Sequence, residues 1–361
     1  MVTMVTKKGE NVHTMYDKCN TDAIQEDYEI LVDRNSEGKV RDWSGKKKRS
    51  LLMADHFDMG GLDKKAERMT DCANTLVFKK DNTRLRLYQT WFCKVRLCPM
   101  CNWRRSLKIA FQNKKVIEKA NETEKLRWLF LTLTVKNVEA DQLKDTLGDM
   151  TMAFNRLFKY KKVQKSVKGY FRALEVTKNT NPDSSSFGTY HPHFHVLIAV
   201  KPSYFKSGYY IKQADWADLW QKAAKLDYSP ITHITTVKAK KQPVDIEGIV
   251  QEVHTSISDS KAVFEVSKYP VKDVDVIGTG DKVTAEGVET VLALDNALAH
   301  KRLISYGGIL KQIHSDLNLD NAEDGDLIQV GEEDPDDIAD AAFEVMAYWH
   351  VGLKTYMIKN N

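Results

Sequence analysis

Three groups of residues in this sequence have the types and spacing to do chemistry. The first is the histidine row in HPHFHVL: His191, His193 and His195 hold alternate positions, three of only ten histidines in 361 residues. Strand side chains alternate between faces, so these three share one face, while Pro192, Phe194, Val196, Ile198 and Val200 share the other. The same parity in the preceding GYFRALEVTKN puts Phe171, Ala173, Glu175 and Thr177 together. If the two segments pair as a hairpin with those faces aligned, Glu175 projects beside the histidines. Two imidazoles and a carboxylate with open positions suit a divalent metal that binds a substrate oxygen. His191 competes for the third ligand position, and a row of hydrogen-bonded structural histidines is the plainer alternative. A cupin-type oxygenase also uses a His-x-His strand, but it needs a carboxylate a few residues downstream, and VLIAVKPSY has none.

The second group is FEVSKYPVKDVD, with Glu265 and Tyr269 at i and i+4, on one face if the segment is helical. A tyrosine phenol can attack phosphorus and form a covalent ester, with a neighbouring carboxylate as general base. Lys268 and Lys272, also four apart, could steady phosphate charge. Pro270 disfavours helical geometry at Tyr269, so the helix ends or kinks there. The third group is Cys72, Cys93, Cys98 and Cys101, four of the five cysteines. Their spacing supplies the four soft ligands of a tetrahedral structural zinc and leaves no open position for catalysis. Arg104 and Arg105 follow directly and could contact phosphates.

Strands and helices must hold these groups in place. Leu76–Arg105 reads as a hairpin around Asp81-Asn82 and then a cysteine loop, and Ser106–Glu122 as a helix opening behind a serine cap. Arg127–Asn137, Gly169–Asn179 and the histidine segment read as strands, Asp141–Tyr160, Gln213–Leu226 and Ser256–Tyr269 as helices. Trp216 and Trp220, at helical spacing, read as core. KPSYFKSGYYIK interleaves basic and aromatic residues that could stack bases and hold phosphates. Lys301–Leu317 reads as one amphipathic segment that packs the C-terminal region or mediates self-association. The pattern implies an α+β fold, an antiparallel sheet with helices on one side.

Composition sets the frame. Apolar residues make up 42% and charged residues 29%, ordinary for a soluble protein. No apolar run approaches the ~20 residues of a membrane span, and the N-terminus lacks a signal-peptide core, so the expected compartment is the cytoplasm. Net charge is only +4, but GKKKRS and CNWRRSLK are basic and Ile313–Asp340 is acidic, which fits a polyanion touched by part of the chain. Four segments are expected: a flexible basic stretch over 1–65, in which GKKKRS is a phosphate-touching arm or a linker; a zinc-binding module over 66–110; a catalytic domain over 111–278; and a helical, acidic region over 279–361.

With these residues identified, the sequence resembles the replication initiator (Rep) proteins of small rolling-circle plasmids of Gram-positive bacteria, within the HUH endonuclease superfamily. The pieces that carry the resemblance are FCKVRLCPMCNWRRS, FLTLTVKN, ALEVTKN…HPHFHVL, EVSKYPVKD and KRLISYGGILKQIH. The resemblance implies an HUH-type central five-stranded antiparallel sheet with packed helices. It implies that His193 and His195 bind Mg2+ or Mn2+. It implies that Tyr269 nicks single-stranded or hairpin DNA at the plasmid origin, leaving a 5′-phosphotyrosine and a priming 3′ hydroxyl, and that Glu265 activates the water that ends the cycle. Glu175 as a metal ligand rests on strand parity, supported by carboxylate ligands elsewhere in the superfamily. A host helicase and replication proteins are the implied partners, and a homodimer is compatible. The rival readings are an HUH transposase or relaxase, and a zinc-dependent DNA-binding regulator without catalysis.

Overall fold

The computed structural model describes residues 28–35, 37–80, 84–206, 208–238, 241–246, 249–254, 257, 261–268, 271–331 and 343–359. In chain order the first elements are β1 (Tyr28–Ile30), α1 (Trp43–Met59), α2 (Asp63–Asp71), β2 (Thr75–Lys80), β3 (Leu85–Gln89) and α3 (Pro99–Thr123). Then follow β4 (Arg127–Thr134), α4 (Ala140–Leu157), α5 (Lys161–Ser166), β5 (Val167–Lys178), β6 (Tyr190–Val200), α6 (Gln213–Ala224) and β7 (Thr232–Val237). The last are β8 (Lys241–Ile246), β9 (Ile249–His254), α7 (Lys261–Val266), α8 (Asp273–Ile277), α9 (Ala285–Leu298), β10 (Ile304–Gly308), α10 (Ile309–Asp316), β11 (Phe343–His350) and β12 (Thr355–Lys359). Among the described residues this is an α+β molecule with two five-stranded antiparallel sheets, ordered β10-β5-β6-β4-β7 and β1-β12-β11-β2-β3, and a β8-β9 hairpin.

The first of these sheets holds the histidine strand at its centre, and both of its faces are covered. On one, Phe194 meets Phe154 of α4 at 5.3 Å and Trp220 of α6 at 6.3 Å, and the Arg172 guanidinium lies 4.6 Å over Phe194. On the other, Phe171 packs on Tyr306 at 4.8 Å, and the Tyr306 hydroxyl donates to Asn113 of α3 at 2.7 Å. Helices on one side only, as the pattern implied, is therefore corrected. β6 runs nearly uninterrupted in apolar residues after His195, and a strand apolar on both faces needs cover on both. Trp216 and Trp220 are fully buried, as their spacing implied.

Three other readings are revised. The third helix begins at Pro99, inside the cysteine loop, because proline suits the first helical turn. Lys301–Leu317 is not one continuous segment: β10 completes the central sheet and turns at Gly308 into α10. Gly308 has φ +58°, and a Cβ there would collide with the Lys168 carbonyl, so the turn requires glycine. GKKKRS, expected as a flexible arm or linker, lies in α1, whose Lys47 and Ser50 are buried. The chain also crosses the expected segment limits, since β11 and β12 pair with β2 and β1, and β10 pairs with β5. The Asp81-Asn82 turn, Tyr269 and Pro270 lie outside the described residues.

Candidate functional site

Strand register assembles the site. Glu175 on β5 stands opposite His193 on β6, which stands opposite Thr134 on β4; Ala173, His195 and Thr132 form the next row. Directly paired residues share a face, so the carboxylate and both imidazoles project together. His193 Nε2 lies 3.2 Å from His195 Nε2, and Glu175 Oε2 lies 3.4 Å from the first and 3.0 Å from the second. These are donor spacings suited to one ion: bonds of about 2.1 Å separate neighbouring donors by about 3.0 Å in octahedral and about 3.4 Å in tetrahedral geometry. The far ring nitrogens are also occupied. His193 Nδ1 lies 3.2 Å from the His191 carbonyl, and His195 Nδ1 lies 3.3 Å from Thr132 Oγ1. Such contacts orient a ring and leave Nε2 for a metal. Thr132 was legible only as a strand residue; its role appears once the register is known.

His191 does not join the convergent set. Its ring stacks on His193 at 5.2 Å, and burial together with His193 lowers its pKa. Burial works to raise the Glu175 carboxyl, but His193, His195 and Lys272 outweigh it and hold the group well below the usual carboxylate range. Lys272 Nζ sits 3.0 Å from Glu175 Oε1, the oxygen turned away from the histidines. Burial works against the Lys272 charge, and the Glu175 contact more than restores it, so its pKa is raised. Glu265 lies on α7 and pairs with Lys268 at 2.5 Å. Helix α7 is fixed beside the sheet partly through Ser267, whose hydroxyl accepts from Asn113 at 2.9 Å.

The four cysteines form the second group. All four are free thiols and wholly buried. Cys72 and Cys93 each lie 3.6 Å from Cys101, and Cys98 lies 3.8 Å from Cys72. A tetrahedral ion with metal–sulfur bonds of about 2.3 Å spaces its sulfurs by about 3.8 Å, so the set fits such an ion. The Cys93 amide donates to Cys72 Sγ at 3.4 Å, and Ser50 Oγ lies 3.5 Å from Cys98 Sγ. Lys47 is fully buried beside the group and donates to the carbonyls of Thr70 and Cys72 and to Asn74 Oδ1 at 2.6–2.8 Å. Sequence reasoning missed Lys47 and Ser50; helical spacing within the lysine run was the available signal.

Arg104 and Arg105 are corrected as phosphate contacts. They are 3% and 2% exposed. Arg104 donates to the Leu327 and Ile328 carbonyls, and Arg105 to those of Glu323 and Lys94. With Lys108 on Asp320 at 2.5 Å, they fasten the 320–328 segment across α3. Helical spacing turns this part of α3 inward, which its basic composition did not reveal.

The model of a family described as replication protein matches residues 84–357, more than half of the chain and all four of Glu175, His193, His195 and Lys272. The chain belongs to the Rep family of replication proteins. The resemblance to Rep replication initiators read from its motifs is borne out. A "Protein rep" of Bacillus amyloliquefaciens is 54% identical over 344 residues, covering 93% of this chain and 99% of its own length. Proteins of the same description from Lactiplantibacillus plantarum and Streptococcus pneumoniae serotype 2 are 43% and 39% identical, over 91% and 92% of this chain and 99% and 96% of their own. No solved structure matches significantly. The Rep match begins after Cys72 and takes in the other three cysteines. Among the described residues, no helix is long and apolar enough to cross a membrane.

Proposed function

We propose that this Rep-family chain initiates rolling-circle plasmid replication in the cytoplasm, as an HUH-type endonuclease that nicks one DNA strand at the origin. The observation that carries the reading is the convergence of Glu175, His193 and His195 on one sheet face, within a chain of the replication-protein family. These three residues would hold Mg2+ or Mn2+. When bound there, such an ion would polarise the scissile phosphate and offset its developing charge. Cys72, Cys93, Cys98 and Cys101 would hold a structural Zn2+.

In this reading Tyr269 is the nucleophile. Its phenol oxygen bonds to phosphorus, the bond to the 3′ oxygen breaks, the phenol proton departs and the 3′ hydroxyl takes one up. The product is a 5′-phosphotyrosine and a free 3′ end that primes synthesis. Lys272 supports the assignment: it touches Glu175 and lies three residues from Tyr269, and that length of chain spans at most about 10–11 Å. Lys268 and Lys272 steady the phosphate, and Glu265 activates the water that closes the cycle. A host helicase would open the duplex ahead of synthesis.

A denaturing gel with a labelled origin oligonucleotide and Mn2+ tests the reading. The chain should become covalently attached to the 5′ product, and Tyr269→Phe should abolish the adduct while leaving binding intact. An adduct that persists in Tyr269→Phe overturns the nucleophile assignment.

A further inference from the structure

The central sheet carries a basic surface at the end away from Glu175. A cleft of about 480 Å3 is lined by residues that include Lys165, Lys168, Lys201, Ser203, Tyr204 and Tyr209, with no carboxylate among them. Lys201 directly follows β6, eight residues on from His193, a separation of about 26 Å at ~3.3 Å per strand residue. Glu124 pairs with both Lys168 at 3.5 Å and Lys201 at 3.3 Å, so one carboxylate gathers two ammonium groups at the ends of neighbouring strands. Each ammonium has three donors, so protons remain for an anion.

Aromatic rings stand beside these charges. Phe205, Tyr209 and Tyr210 are 42%, 37% and 50% exposed. Lys165 Nζ lies 4.7 Å from the Tyr209 ring centre, and the Arg127 guanidinium lies 5.4 Å from that of Phe205. The loop that presents them is pinned from beneath. The Ser166 hydroxyl donates to the Tyr209 carbonyl at 2.7 Å, and the buried Tyr204 donates to that of Ile211 at 3.1 Å. Exposed rings on a pinned loop, interleaved with cations, match the needs of an unpaired strand: cations meet phosphates and rings stack on bases. A duplex offers the same phosphates but no free base faces.

We propose that this cleft, with Phe205, Tyr209 and Tyr210, is a single-stranded DNA subsite that grips the strand several nucleotides from the metal-ligand group. The inference rests on the reading that the metal-ligand group acts on such a strand. The test is fluorescence anisotropy of the full chain with labelled oligothymidylates of about 6 and about 20 nucleotides, bracketing most of the ~4–16 nucleotides that single-strand grooves cover. Lys165→Ala with Lys201→Ala should weaken binding of the longer oligonucleotide roughly tenfold. It should also lower the slope of log affinity against log salt by about 1.4, from about 0.7 per lost phosphate contact. Tyr209→Ala should weaken binding by a similar factor without changing the slope, because stacking releases no counterions. Melting temperatures check folding, and Lys201→Gln, at an exposed position, serves if the double variant is destabilised. Unchanged affinity and slope in these variants overturn the proposal, and so does an equal loss on a duplex of the same length. Adduct formation with the origin oligonucleotide, run on the same preparations, separates the two readings. An adduct with cleft-independent binding sinks the subsite alone; cleft-dependent binding without an adduct supports the subsite and sinks the nicking reading.

Discussion

The two groups of this molecule that could hold a metal ion use the same principle of converging donors and differ in enclosure. The four cysteines are wholly buried, and their four sulfurs can complete a tetrahedron by themselves. Glu175, His193 and His195 supply only three donors, and their side chains keep 11–14% exposure. The supports differ as well. The sulfurs come from the end of α2, the loop after β3 and the start of α3, so an ion among them would join three separate pieces of chain. The histidines and glutamate are side chains of strands already bonded to one another, so the sheet does not need an ion to form. In the proposed reading, a closed group in a joint would stabilise, whereas an open group on a finished sheet would be left for a substrate oxygen.

Cys101→Ser should therefore have the largest effect. Breaking the tetrahedron should cost more than about 4 kcal/mol of stability, in the range reserved for lost metal sites and broken cores. Thermal unfolding in the wild type and variant measures it, with release of bound metal followed by a chromophoric chelator. A variant that melts like the wild type would erase the contrast between the groups. His193→Ala should show the opposite profile. Nicking should fall roughly 10²–10³-fold, the scale of several kcal/mol of charge stabilisation, while the melting temperature shifts little. Loss of fold in His193→Ala would mean that the open group is structural too.

The same contrast governs what the sequence revealed. Strand parity depends only on alternation, so Glu175, His193 and His195 were legible as one face, and the observed register pairs them. Cysteine spacing was legible because few other uses explain four clustered thiols in such a chain. The choice between Glu175 and His191 needed the register and the side-chain directions. Lys47, Arg104 and Arg105 misled because basic composition reports charge, not direction; helical phase turned all three inward. The covered second face of the sheet was written in the apolar run after His195, which leaves neither face of β6 polar, whereas the turn between β10 and α10 depends on long-range packing, which no local period encodes. The strand in ISYGG was masked by its apolar continuation into ILKQI.

Lys272 tests how far the open group depends on its surroundings. It holds Glu175 Oε1 at 3.0 Å, leaving the other oxygen to the histidines. Partners that orient a ligand commonly matter by about 10–100-fold, and an exposed lysine belongs at the lower end. Lys272→Met should reduce nicking roughly tenfold, and Lys272→Arg should restore part of it. Full activity in Lys272→Met would confine the working group to Glu175, His193 and His195.

The smallest effect concerns acid stability without added divalent ion. Glu175 is held well below its ordinary value of 4.5, so on acidification the unfolded chain takes up this proton before the folded chain does. The contribution is fully present above that ordinary value, and it is lost as pH falls below it toward the depressed folded value. Over that window one group can tilt stability by at most about 1.4 kcal/mol per pH unit. Glu175→Gln has no such proton, so its urea-unfolding stability should fall less steeply than the wild type between about pH 4.5 and 3. Above about pH 6 the two curves should run parallel, offset by the lost ion pair with Lys272. Identical slopes in acid would mean that the histidines and Lys272 do not hold the carboxylate in the folded chain, and the open group would lose the preorganisation that distinguishes it from a chance surface cluster.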